Sequence, residues 1–145
     1  MSTEENKALE YRILEEALNK HNLAIADELI DANWLYHGTA GMNFHGREGF
    51  RQMHSMLYAA FPDLRVKVED MVAEGDKVVS RFTVQGTHHG KFLGVAPTGR
   101  QFKVSGIAIG RFAAGMEVEV WDIVDQFGMM QQLGAIPLNP SPRGR

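Results

Sequence analysis

Apolar and polar positions alternate along this chain with two different periods, and the change falls at Pro62. Before it the period is helical. Residues 4–21 predict a first helix, capped by Ser2 or Thr3 and with Glu4 and Glu5 in the first turn, where the helix dipole favours acids. Tyr11, Leu14, Leu18 and His21 fall on one side, and Leu9, Ile13 and Ala17 widen the stripe. Asn22 starts a second short helix that carries Ile25, Leu29 and Ile30. Trp34 to Asn43 reads as a short strand running into a glycine-rich loop. A third helix spans about Gly46 to Phe61, with Phe50, Met53, His54, Leu57 and Phe61 on one face, and Pro62 ends it because proline cannot continue the hydrogen-bond ladder.

After Pro62 the period is two. Leu64, Val66 and Val68 alternate with charged residues, and Gly75-Asp76 makes a turn. Residues 77–88 form the next strand, with Val78, Ser80, Phe82 and Val84 on one face. The loop GKFLGVAPTGR follows, then strands over 101–112 and 117–126 and a short helical cap from Gly128 to Leu133. Three helices followed by four long strands joined by hairpins define the α+β class. The pattern predicts one domain over residues 1–136 and a proline-rich, loose tail over 137–145.

Composition narrows the classes of function. A chain of 145 residues fits one domain and buries roughly 70% of the surface its unfolded form exposes. Fifteen basic residues against eighteen acidic ones, with no basic cluster, argue against a nucleic-acid partner. The absence of cysteine excludes disulfides, thiolate catalysis and thiolate metal sites. The polar, acidic N-terminus is unlike a signal peptide, and no apolar run reaches the ~20 residues a bilayer requires, so a cytoplasmic protein without a membrane partner is expected. No two histidines have the i, i+4 spacing of a helical metal site, and neither glycine-rich segment has the spacing of a phosphate loop. No metal and no cofactor are expected.

FPD, GD, GTH and PTG in residues 61–100, then W-D-x-x-D from Trp121 and QLG to Gly134, occur together at spacings that resemble those of the SnoaL-like polyketide cyclases, also called ester cyclases. These belong to the nuclear-transport-factor-two-like superfamily, with ketosteroid isomerase and limonene epoxide hydrolase. The resemblance runs from the first helix to Gly134. It implies a cone-shaped fold, three N-terminal helices packed in a curved, mostly antiparallel sheet, with one deep pocket and a homodimer formed through the outer sheet face. It also implies that Asp122 is the acid/base of an intramolecular aldol closure.

The residues carry a parallel argument for Asp122. Strand alternation puts Val118, Val120, Asp122 and Val124 on one face, and a carboxylate among valines is held near its neutral form by desolvation. No second inward acid is expected. Asp125 lies on the other face with Trp121 and Ile123, and a turn or interface role fits it. The inward set of the strand before it is Val104, Gly106, Ala108 and Gly110. Some polyketide cyclases carry glutamine and histidine at the positions of Gly106 and Ala108. Two small residues here predict a larger pocket, or room for a bulky neighbour from a helix.

His37 and His88 are candidate carbonyl-orienting groups, and His54 a weaker one. Tyr11, Leu18, Tyr36, Phe50, Met53, Leu57, Phe82, Val104, Ala108 and Val120 are expected to line the pocket. The expected ligand is a small apolar or aromatic carbonyl compound. Three activities remain open: cyclase or isomerase chemistry through Asp122, epoxide hydrolysis of the limonene type, and binding without catalysis. The epoxide reading needs paired acids bridged by arginine, whereas Arg81 and Arg111 have outward parity.

Overall fold

Ser2 caps the first helix as expected: its hydroxyl accepts from the Glu5 amide, and the Glu5 carboxylate accepts from the Ser2 amide, 3.0 and 2.9 Å. The structure is a computed structural model and describes residues 1–136; the proline-rich tail expected at 137–145 lies outside the described residues. Helix α1 (Thr3–Leu14) passes into a π-helical turn (Glu15–Asn19), then α2 (Ile25–Leu29), β1 (Ile30–His37), a 3₁₀ turn (Thr39–Gly41), β2 (Asn43–His45) and α3 (Gly46–Ala60). Strands β3 (Arg65–Glu74), β4 (Lys77–Thr87), β5 (Gln101–Ala113) and β6 (Met116–Val124) follow, and α4 (Gln126–Gln132) closes the described chain.

The strands form one curved, unclosed sheet of order β2-β1-β6-β5-β4-β3, and the helices pack against its concave face. Only the β1–β6 pairing is parallel. The α+β class and the cone-like architecture stand. The short strand expected from Trp34 is β1, which starts earlier because Ile30, expected in the second helix, opens it beside β6, and β2 beside it completes six strands.

Two irregularities reset which residues face inward. In α1 the buried stripe is Asn6, Glu10, Ile13 and Ala17, not the stripe through Tyr11. Its spacings of four, three and four are as helical as the expected ones, but two of its members are polar. Tyr11 is turned outward and 53% exposed. The π turn then re-phases the helix and brings Leu18 to the inner side. In β6 a bulge pairs Arg111 with Glu119 but Phe112 with Glu117, which leaves Val118 as the extra residue. Glu117 is buried as a result.

Several tethers hold the helices in place. Asn19 exchanges two hydrogen bonds with the backbone of Val66, which fixes the end of the π turn to β3. The Tyr58 hydroxyl donates to the Ala17 carbonyl, and the His21 ring stacks on Tyr58 at 3.9 Å. Asp125 caps α4 by accepting from the Gly128 amide, which gives it the turn role expected of it.

Candidate functional site

The concave side encloses a cavity of about 160 Å³. Cavities near this size take a single aromatic ring when the lining is apolar. Leu18, Phe50, Met53 and Leu57 line it from the helices, and Tyr36, Phe82, Ala108, Val120 and Asp122 from the strands. Its polar edge is built by β1 and β6. Trp34 and Tyr36 are two residues apart on β1 and share the inner face. Opposite them on β6 stand Glu117, Val120 and Asp122.

Asp122 is half-buried beside Ala108, its cross-strand partner on β5. Its Oδ2 accepts from the Tyr36 hydroxyl at 2.5 Å, and its Oδ1 is buried with no partner. Burial raises its pKa to about 6, and the Tyr36 bond offsets part of that rise. No lysine or arginine lines the cavity among the described residues. Thr39 ties the strand here, donating to the Asp122 carbonyl and accepting from the Val124 amide.

The expectation of one inward acid does not hold. Glu117 reaches the cavity because of the Val118 bulge, and Glu10 reaches it because α1 presents its polar stripe inward. Trp34 donates to Glu117 Oε1 at 3.0 Å. The two glutamates hydrogen-bond each other, and burial with mutual repulsion pushes Glu10 well above the usual carboxylate range. Burial also raises Glu117, whose bonds from Glu10 and Trp34 work against the rise. Burial thus favours a proton shared between the two carboxyls. Gly110 makes room for them: a Cβ there would lie 2.5 Å from Glu10 Oε1 and 3.1 Å from Glu117 Oε2.

Four other expected lining residues stand elsewhere. His37 follows Tyr36 on β1, so alternation turns it to the outer face. There it pairs with Glu119 at 2.8 Å and stacks on Trp121. His88 has the inward parity expected, yet it lies beneath the loop after β4. It packs on Phe61, and its Nδ1 accepts from the Thr98 amide. Tyr11 is outside, and Val104 is buried in the core without lining the cavity. Gly106 faces inward, but its space is already filled, since a Cβ would lie 2.5 Å from the Phe82 ring. The bulky neighbour comes from the adjacent strand, not from a helix, and the pocket gains no depth there.

His54 does line the cavity. Its Nδ1–H donates to the Phe50 carbonyl at 2.8 Å, and burial lowers its pKa to about 4. The ring is therefore neutral near pH 7, with an acceptor lone pair on Nε2. Thr39, Met42, Gln126 and Met129 also line the site. They come from turns and a short helix, for which a periodic pattern gives no orientation. Among the described residues no group of three or more metal-ligating side chains occurs.

The sequence profile of the SnoaL-like polyketide cyclases matches residues 8–133. The chain belongs to that family. IdmH of Streptomyces antibioticus, named as a polyketide cyclase, is 33% identical, with 89% of this chain and 98% of that one covered at a TM-score of 0.77. A protein of Jannaschia sp. CCS1, named as a SnoaL-like polyketide cyclase, is 25% identical over 93% of this chain and 95% of its own, with a TM-score of 0.85. AclR of Streptomyces galilaeus, named as a hydroxylase, is 28% identical over 97% and 87%, with a TM-score of 0.82. No curated protein matches the chain. Among the described residues no helix is long and apolar enough to cross a membrane.

Proposed function

We propose that this SnoaL-like family member catalyses proton transfer next to a carbonyl of a small, largely apolar compound, followed by ring closure or isomerisation, without a cofactor. One observation carries the reading: Asp122 stands in an apolar cavity with Oδ1 unpartnered, no cation against it and its pKa raised to about 6. A carboxylate so placed is a base near neutrality and a good acid once protonated.

In the cyclising direction, Asp122 takes a proton from the carbon beside the carbonyl, and that C–H electron pair becomes an enolate. The enolate carbon bonds to a second carbonyl carbon of the same molecule. The alkoxide that forms takes the proton back from Asp122, so no other reactant is consumed. For isomerisation the proton returns to a different carbon. Tyr36 orients Asp122 through its bond to Oδ2 and leaves Oδ1 for the substrate.

The epoxide-hydrolase reading lacks its arginine. Arg81 is held by Asp70 and Arg111 by Glu119, both on the outer side. The test is solvent deuterium uptake into small single-ring β-diketones, followed by mass spectrometry. Asp122→Asn keeps the shape and removes the titration, and uptake should fall by about 10²–10⁴. Uptake by the variant within about tenfold of wild type would remove Asp122 from the mechanism.

A further inference from the structure

The hydrogen bonds of the cavity leave an imbalance between donors and acceptors. The Trp34 indole N–H is spent on Glu117, the Tyr36 hydroxyl on Asp122, the His54 Nδ1–H on the Phe50 carbonyl and the Thr39 hydroxyl on the Asp122 carbonyl. Apart from the half-buried Gln126 amide and the proton shared by Glu10 and Glu117, no side-chain donor of the lining remains free.

Acceptors remain open on both sides. Asp122 Oδ1 is buried and unpartnered. His54 is 4% exposed and lines the cavity, and with its Nδ1–H spent on the Phe50 carbonyl its Nε2 is an acceptor. The acid pair has four oxygens, of which Glu117 Oε1 accepts from Trp34 and others are taken by the bond between the two carboxyls. Three carboxyl groups and no lysine or arginine line the space. A ligand that brings only acceptors, or an anion, meets no side-chain donor here beyond the Gln126 amide and the proton of the acid pair. Buried acceptors that face each other unfilled cost free energy, and a donor that reaches them recovers it.

We propose that the cavity is built for a small amine, an apolar single-ring compound whose protonated nitrogen sits against the Glu10–Glu117 pair below Gly110. The ring lies against Phe50, Met53, Leu57 and Phe82. His54 Nε2, on α3, accepts a second N–H or O–H of the ligand. This deepens the proposed activity by making the substrate an amino-carbonyl compound; it rests on that reading for the carbonyl end and on the acceptor excess for the amine.

Isothermal titration at pH 7 with three probes of one size tests it: phenethylamine, phenethyl alcohol and phenylacetate. The amine should bind at least about tenfold tighter than the alcohol, and phenylacetate should bind weakest. Glu117→Gln should weaken the amine by about tenfold and leave the alcohol within about threefold, with folding checked by circular dichroism. Glu10→Gln serves as the second variant, and should the two fail to fold, the wild-type ranking decides. Phenylacetate binding as tightly as the amine, no binding by any of the three, or a folded Glu117→Gln protein with unchanged amine preference would overturn the proposal. Turnover is not read here, so a failed ranking leaves the Asp122 chemistry standing, and a failed exchange assay leaves the amine ranking standing.

Discussion

Replacing Tyr36 with phenylalanine removes one hydroxyl from the cavity and keeps the ring that packs near Trp34 and Phe44, at 5.5 and 6.1 Å. That hydroxyl donates to Asp122 Oδ2 at 2.5 Å. It stabilises the ionised carboxylate, so its loss moves the titration of Asp122 upward from about 6. A hydrogen bond to a charged group contributes about 1.5–3 kcal/mol, and 1.36 kcal/mol corresponds to one pH unit, which sets the rise at about one to two pH units. At pH 7 wild-type Asp122 is about nine-tenths ionised, and in the variant about half or less. The deuterium-uptake assay run from pH 5 to pH 9 reads this directly. The rising limb of kcat/KM should move to higher pH, and the plateau above it should stay level or rise, since a more basic carboxylate abstracts protons more readily. Folding stability follows the same sign. A carboxyl raised on folding contributes stability below the ordinary aspartate range, and that stability is lost as pH rises through the folded value, so the loss in Tyr36→Phe should extend to higher pH. A midpoint that stays within about a third of a pH unit of wild type, or moves down, would refute the assignment of Tyr36 as the group holding Asp122 ionised.

Gly110→Ala should destabilise the protein by about 1–3 kcal/mol in urea unfolding, because the new methyl overlaps the Glu10 carboxyl, and adding Glu10→Ala should recover most of the loss. Glu10→Gln should gain stability relative to wild type as pH rises above the ordinary glutamate range. There unfolding the wild type releases the proton that the folded pair still holds, and the amide has none to release; parallel stability curves from pH 4 to pH 9 would contradict this. Ile107, Trp121 and Ile123 stand exposed together on the outer sheet face, and two copies of the chain should pair there. Sedimentation should show a dimer at micromolar concentration and a monomer after Ile123→Lys, and a wild-type monomer would sink the idea.

Much of this architecture was legible in the sequence because regular strands announce their faces. The parity of β4 and β5 placed Phe82 and Ala108 inside and Arg81 and Arg111 outside, as found. Asp122 was found by the same rule. Where the chain departs from regular geometry the rule fails. One extra residue in β6 turned Glu117 inward, and hydrophobicity could not find the buried stripe of α1, since Asn6 and Glu10 belong to it. The five-residue spacing of Glu117 and Asp122 puts them on opposite faces of a regular strand and gave no hint of a bulge. His37 shows a simpler limit: both it and Tyr36 were expected in the pocket, which alternation on one strand does not permit. His54 carried a signal, its place on the apolar face of α3, but that place alone does not distinguish a core histidine from one with a free ring nitrogen.

The bulge at Val118 also bears on how such pockets diversify. The extra residue of β6 could instead be absorbed in the turn between Ala113 and Met116, giving a regular ladder in which Phe112 faces Val118 and Glu117 points to solvent. The cavity would lose one member of its acid pair with no amino acid replaced. Within this hairpin, an insertion or deletion of a single codon would exchange the faces of Glu117 and Val118 together, which no single substitution in the cavity wall does.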